Sequence, residues 1–214
     1  MIKADGNSEL VVLNYNSPDS MDWYMHRFQP EIDAGILIYA HEKTAVHFHA
    51  SKAINISHLC SSGDYLVNLD GDNFIDSGIE SARKIWSDRP KTVVQWFNGN
   101  GNDGTCGRIG MSREVFTMLG GYDESLPPFG GQDKDIMERA KNAGLELLVV
   151  PRVACAIKNV RDVKNTGRKM VEFESDLIAT RVLILERTAL GIYQVNANRK
   201  KVAVEINWKK EALV

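Results

Sequence analysis

Gly63-Asp-Tyr-Leu-Val-Asn-Leu-Asp-Gly-Asp72 carries an apolar strand directly into two carboxylates, Asp70 and Asp72. Open α/β sheets bind ligands in the crevice beyond the carboxyl ends of their strands, so acidic groups at that point are placed for chemistry. Spaced one residue apart, they bring several hard oxygen donors together, a set that suits Mg²⁺ or Mn²⁺ bridging a diphosphate. The competing reading is an acidic turn, since Asp-Gly is a common turn dipeptide.

The same alternation of strand and helix extends on both sides. Upstream, Leu10-Val-Val-Leu13 runs into Asn14-Tyr-Asn-Ser-Pro18, and Gly35-Ile-Leu-Ile-Tyr-Ala40 is a second apolar strand. Ala53, Ile56, Leu59 and Cys60 recur at helical spacing between them and the quoted stretch. Downstream, Ile79, Ala82, Ile85 and Trp86 share a helix face, and Thr92-Val-Val-Gln-Trp-Phe97 reads as a strand. The pattern predicts a single α/β domain with a mainly parallel sheet flanked by helices.

Residues 98–107 are rich in glycine and asparagine, and a long loop of that kind inside a compact domain is expected to border the site. Ser112 is placed to cap a helix through Leu119 that stops at Gly120-Gly121. A second helix is expected from Gln132, burying Ile136, Met137 and Ala140, and Glu146-Leu-Leu-Val-Val150 reads as a strand. A longer helix from about Glu172 is expected to bury Ile178, Val182, Leu185 and Ala189, followed by two short strands around Asn196-Ala-Asn-Arg199.

Phe129-Gly-Gly-Gln-Asp133-Lys-Asp135 forms the second chemical signal. Acidic residues in a first helical turn often only complement the helix dipole, and Asp135 fits that role. Asp133 fits it less well, because Gly130-Gly131 leaves room for a substrate against the backbone and Phe129 offers a flat apolar surface to a sugar or base.

The bulk numbers argue against several classes. With 214 residues and 43% apolar side chains, the chain can bury one continuous core. Its 26 basic and 28 acidic side chains give a formal charge of −2, which does not suit a protein built to neutralise nucleic acid or coat anionic lipid. Cys60, Cys106 and Cys155 are widely spaced and read as reduced thiols, not as disulfides or a zinc ribbon. His41, His47, His49 and His58 match no zinc template, and the basic runs Arg199-Lys-Lys201 and Lys209-Lys210 read as solvated surface. Lys3, Asp5 and Glu9 interrupt the first ten residues, so no secretory signal is expected. No stretch approaches the ~20 apolar residues of a membrane span. A cytoplasmic location is expected, with an acceptor at a membrane surface as a variant of it.

The stretch 63–72 resembles the segment that carries the DxD motif in GT-A glycosyltransferases, especially glycosyltransferase family 2. Residues 107–124, continuing through Gly130-Gly-Gln-Asp-Lys-Asp-Ile136, are similar to the acceptor region of the β-1,4-galactosyltransferases. The resemblance covers roughly residues 9–165 in order, and it is the ordered set that is specific. It implies a GT-A fold with a nucleotide-sugar half at 1–97, an acceptor and catalytic half at 98–165, and a C-terminal helix with short strands at 166–214.

The activity implied is that of a metal-dependent inverting glycosyltransferase, a hexosyl- or pentosyltransferase of the EC 2.4 class. A nucleoside-diphosphate sugar, UDP-linked by resemblance, is the donor, and Mn²⁺ or Mg²⁺ is the cofactor. The acceptor is a hydroxyl of a glycan, a lipid-linked sugar or another molecule. By the same resemblance Asp72, with Asp70 and Asn159, holds the metal. Asn14, Tyr15, Asn55, Asp70 and Arg108 contact the donor, with Gly110 near its sugar. Asp133 is the catalytic base, and Phe129, Gly131 and Gln132 line the acceptor.

The chain departs from the family pattern at Gln132, which stands for a glutamate, and at Asn159, which stands for a metal-binding histidine. Ala40-His-Glu-Lys43 also lacks the usual acidic pair. Two other functions remain open on the sequence. One is a nucleotidyltransferase acting on sugar phosphates, and the other is a sugar-nucleotide-binding module with weakened turnover.

Overall fold

The computed structural model describes residues 7–17, 21–71, 73–74, 77–97, 106–150, 158–159 and 170–212. Packing divides the chain into two compact units, 1–63 with 198–214, and 64–197.

In the first unit the apolar runs pair as the alternation of residue types requires. Strand β1 (Leu10–Tyr15) lies parallel to β2 (Leu37–Glu42), with Leu10 opposite Leu37 and Tyr15 opposite Glu42. Between them the chain forms the short helices α1 (Met21–Met25) and α2 (Gln29–Asp33), joined by one 3₁₀ turn. Met21, Met25, Phe28 and Ile32 recur along them at steps of four, three and four residues and pack into one cluster, a helical period that the strand signals on either side overshadow. Helix α3 (Ala50–Cys60) buries Ala53 and Ile56 against this sheet, as its spacing predicts. The C-terminal β9 (Ala203–Ile206) and β10 (Lys209–Ala212) extend the sheet in antiparallel fashion, giving the order β1-β2-β9-β10. The expected pair of strands around Asn196 therefore lies several residues further along the chain.

The second unit is a four-stranded sheet of order β3-β6-β5-β7, formed by Tyr65–Val67, Ile109–Ser112, Val93–Trp96 and Leu147–Val150. Only β5 and β7 are parallel; β6 runs antiparallel to both of its neighbours. The sheets are thus mixed, because the chain returns from β5 through the glycine-rich loop as the oppositely directed β6, and because the C-terminus comes back to the first sheet.

All four residues of β6 are buried. Gly110 belongs there for a packing reason: a Cβ would come within 2.9–3.0 Å of the Trp86 and Trp96 rings. Those two indoles, with Ala82 and Val94, form the core beneath helix α4 (Gly78–Asp88).

Helix α5 (Arg113–Leu119) starts where Ser112 Oγ accepts the Val115 N–H and ends at Gly120 with φ 74°. Such a cap is worth about 1 kcal/mol. The left-handed φ alone favours glycine at 120, and the Val195 carbonyl oxygen, 2.0 Å from where a Cβ would sit, requires it. Helix α6 (Gln132–Asn142) packs on helix α7 (Met170–Ala189), and a two-residue ladder joins β4 (Asn73–Phe74) to β8 (Lys158–Asn159).

Helix α7 corrects one expectation. Its inward residues are Thr180, Ile184 and the partly covered Arg187, whereas Ile178, Val182 and Leu185 are exposed. Apolar residues occur on both sides of this helix, so periodicity alone selects the wrong face.

Candidate active site

Asp70 stands three residues beyond β3, on a chain still paired to β6 through the Asn68 N–H, which donates to the Ile109 carbonyl at 2.8 Å. The Asn73 N–H then donates to the Asp70 carbonyl at 2.9 Å, closing a β-turn. The acidic-turn reading and the ligand reading therefore describe the same four residues. Asp72 lies outside the described residues.

Two neighbours hold this turn. Asn68 Nδ2 donates to the Gly107 carbonyl at 2.9 Å and lies 3.4 Å from Asp70 Oδ1. On the far side the buried Arg108 guanidinium donates through Nη2 to Asn73 Oδ1. Arg108 is fully buried, facing Asn73. Asn73 pairs across the ladder with Asn159, which puts the backbone of 159 opposite the residue that follows Asp72.

Asp133 lies half-buried in the first turn of α6, which is capped by Gly131 in the left-handed region with φ 81°. Burial pushes its carboxyl above the ordinary carboxylate range, opposed by the backbone N–H groups of Lys134 and Asp133 and by a hydrogen bond with the Cys106 side chain. Here the two segments meet. Cys106 touches Asp133, while the adjacent Gly107 is so close to Asp70 that a Cβ would lie 3.2 Å from Oδ2. Buried Tyr122 feels both carboxylates: its phenol is pushed up first by burial, then by Asp133 and Asp70, with Arg139 pulling the other way.

Cys106, which the sequence presents only as a reduced thiol, is the further residue of the site. Its signal is positional, at the end of the glycine-rich loop and immediately before Gly107-Arg108. Gln95 Nε2 fixes its backbone by donating to the Cys106 carbonyl at 2.7 Å.

The residues expected at the acceptor behave differently from one another. Phe129 is 42% exposed. Gln132 Oε1 folds back to accept the Gly130 N–H at 3.1 Å. The space beside Gly131 is taken by Thr180, whose Cγ2 would lie 2.5 Å from an added Cβ and whose hydroxyl donates to the Gly130 carbonyl at 3.2 Å. The glycine at 131 thus admits helix α7, where the sequence suggests room for a substrate.

Among the expected donor residues of the first unit, Asn14 is buried, donating to the Tyr39 hydroxyl at 3.0 Å and accepting the Ser17 N–H at 2.8 Å. Tyr15 packs edge-on to Phe48 at 6.0 Å, and Asn55 is fully buried. An open depression of about 670 Å³ lined by Asp64, Tyr65, Pro90, Arg113, Glu114 and Met118 lies at the start of β3, the end opposite Asp70, and includes none of the candidate residues.

Among the described residues no three His, Cys, Asp or Glu side chains cluster to hold a metal. The zinc reading of the histidines is not supported there; His41 Nδ1 instead lies 3.3 Å from Asp22 Oδ1. The turn and the β4/β8 ladder connect the backbones of Asp70 and Asn159 through Asn73, so an oxygen-rich site that includes both is compatible with the fold. Hard divalent cations favour such a donor set.

The fold is that of the GT-A glycosyltransferases. A mannosyltransferase from Pyrobaculum calidifontis in complex with GDP-Man and Mn²⁺ superposes with a TM-score of 0.58 at 14% identity, covering 86% of this chain and 62% of that one. GalNAc-T7 with UDP, GalNAc and Mn²⁺ gives 0.63 at 14% identity, over 84% of this chain and 41% of that one. The catalytic domain of Drosophila β1,4-galactosyltransferase 7 in complex with xylobiose gives 0.50 at 14% identity, over 96% and 92%. The chain therefore spans less than two thirds of the first two of these proteins. No curated protein sequence matches it.

Within that fold, residues 97–166 match the family model described as the N-terminal domain of galactosyltransferase. The galactosyltransferase likeness read from residues 107–136 falls within that match, and the GT-A likeness is present in the fold. No helix among the described residues is long and apolar enough to cross a membrane.

Proposed function

We infer that the chain is a metal-dependent inverting glycosyltransferase that moves a sugar from a nucleoside-diphosphate donor to an acceptor hydroxyl. The observation that carries this reading is the Cys106-Gly107 step, which touches Asp133 on one side and Asp70 on the other. A base and a leaving-group site must flank one sugar carbon, and two adjacent residues span them here. The nucleotides bound by the neighbours, GDP-Man in one case and UDP in another, support a nucleoside-diphosphate sugar of either base.

Asp133 takes the proton of the acceptor hydroxyl as its oxygen bonds to the anomeric carbon and the bond to the diphosphate oxygen breaks on the opposite face. Its raised affinity for protons suits that task, since a base works best when its pKa approaches the working pH. A positioned base of this kind contributes about 10²–10⁴-fold. Asp70, Asp72 and Asn159 would hold Mn²⁺ or Mg²⁺, which would supply positive charge to the departing diphosphate. Arg108 keeps the turn in register through Asn73. Phe129 presents its exposed ring to the acceptor, consistent with the xylobiose held by the galactosyltransferase neighbour.

The test is a panel of UDP- and GDP-sugars screened for Mn²⁺-dependent thermal stabilisation, because a ligand bound only by the folded state raises apparent stability. A hit that is lost in Asp72→Ala and that turns over with release of nucleoside diphosphate supports the reading. Release of pyrophosphate would instead identify a nucleotidyltransferase, and stabilisation without turnover a binding module.

A further inference from the structure

We propose that helix α7 pairs with the same helix of a second copy of this chain, forming a parallel two-stranded coiled-coil seam. The surface in question lies diametrically opposite the face that packs on α6. Taking 100° per residue, Thr180, Ile184 and Arg187 centre on the domain side, and Ile178, Val182, Leu185 and Ala189 centre on the other. The outer set is open: Ile178 is 62%, Val182 49% and Leu185 70% exposed. A helix that is apolar on both sides is normally covered on both.

The spacing of the outer set identifies its cover. Steps of four, three and four residues from Ile178 to Ala189 are the d-a-d-a pattern of a heptad, the period that keeps one seam against a partner helix. Val182 at an a position with Leu185 at the following d is the arrangement that favours two parallel strands.

The flanking charges select the same partner and direction. Arg181 takes the g position and Glu186 the following e position, on opposite edges of the seam, and both are exposed. Neither engages another charge within the described chain. In a parallel dimer the g residue of one helix faces the e residue of the other five positions on, so Arg181 meets Glu186 of the second copy twice. An antiparallel pair brings like residues together across the seam and loses both attractions. The pattern is therefore self-complementary in one orientation.

A short seam is enough here because α7 is already ordered by its packing on α6, so association does not bear the cost of helix nucleation. Four positions per helix nevertheless bury less than the ~1,200 Å² of a standard interface, which places the dimer among weak complexes with a Kd on the order of micromolar.

Sedimentation equilibrium of the whole chain tests this, with circular dichroism to verify that each variant is folded. The wild type should show a reversible monomer-dimer equilibrium, and Leu185→Glu should be a folded monomer. Arg181→Glu and Glu186→Arg should each weaken association by about tenfold, and the double variant should return to within about threefold of wild type, since it restores opposite charges across the seam. A wild type that stays monomeric to about 500 µM overturns the proposal. So does a double variant no tighter than the single ones, or a wild type that binds anionic vesicles through Leu185 without self-associating.

Discussion

Asp133 and Asp135 lie two residues apart in the first turn of α6, yet they meet opposite surroundings. Asp135 is buried with Arg139 Nε at 2.8 Å and Arg187 Nη1 at 3.3 Å. Arg139 in turn donates to the carbonyls of Leu119 at 2.9 Å and Gly121 at 2.8 Å, and Arg187 reaches Asp123. Burial raises the affinity of Asp135 for protons while Arg139 pulls it back. Asp133 is raised by burial as well, but its described partners are backbone N–H groups, a thiol and the nearby Lys134 ammonium, with no guanidinium. One carboxylate ties three elements together; the other keeps a charge that a proton can neutralise. The helix dipole, which the sequence offers as the role of Asp135, does not account for its two arginine partners; it is Asp133 that meets first-turn N–H groups.

The strongest way to break this contrast is Asp133→Asn. Turnover should fall by about 10²–10⁴-fold while Mn²⁺-dependent stabilisation by a nucleotide-sugar persists, and near-normal turnover would remove Asp133 from the chemistry. Asp135→Ala should do the reverse. Leaving Arg139 buried without its carboxylate should cost about 3–5 kcal/mol in denaturant unfolding, and a cost below about 1 kcal/mol would show that the network does not anchor the helix.

Gly131→Ala sharpens the picture at the helix start. The left-handed backbone and the collision with Thr180 should together cost about 1–3 kcal/mol, and adding Thr180→Ser, which removes the colliding methyl, should recover only the steric share. Complete recovery would mean that the backbone carries no strain.

The smallest effect concerns pH. Because the folded state raises the pKa of Asp133, its contribution to stability is fully present below the unfolded carboxylate value and is lost as pH rises through the folded one. Asp133→Asn should therefore melt at a higher temperature than the wild type at neutral pH, with the gain vanishing in acid. A gain that grows toward low pH would contradict the burial argument.

What could be read beforehand follows from how local each signal is. Ser112 and Gly120 bound a helix by cap chemistry contained in one short stretch, and Asp70 directly follows its own strand run, so both are legible. Strand β6 is not, because Gly110 weakens any strand pattern and its reason, the two tryptophan rings, lies far away in sequence. The inward face of α7 is equally hidden: Thr180 and Arg187 look like surface residues until the glycine and the carboxylates they serve are seen. Cys106 carries no motif at all, and only the meeting of two segments gives it a place in the site.

Asn196 closes the second unit from its far end. Its side-chain amide donates to the carbonyls of Gly120 at 2.8 Å and Tyr122 at 2.7 Å, its Oδ1 accepts the Glu124 N–H at 3.1 Å, and the Val195 N–H donates to Leu119 at 3.2 Å. During synthesis on the ribosome these groups must wait, still hydrated, for a segment made some seventy residues later. A nascent chain released before Asn196 would hold every candidate residue named above and yet lack the clasp over the end of α5, so a segment made after all of them governs when the platform under Asp133 becomes rigid.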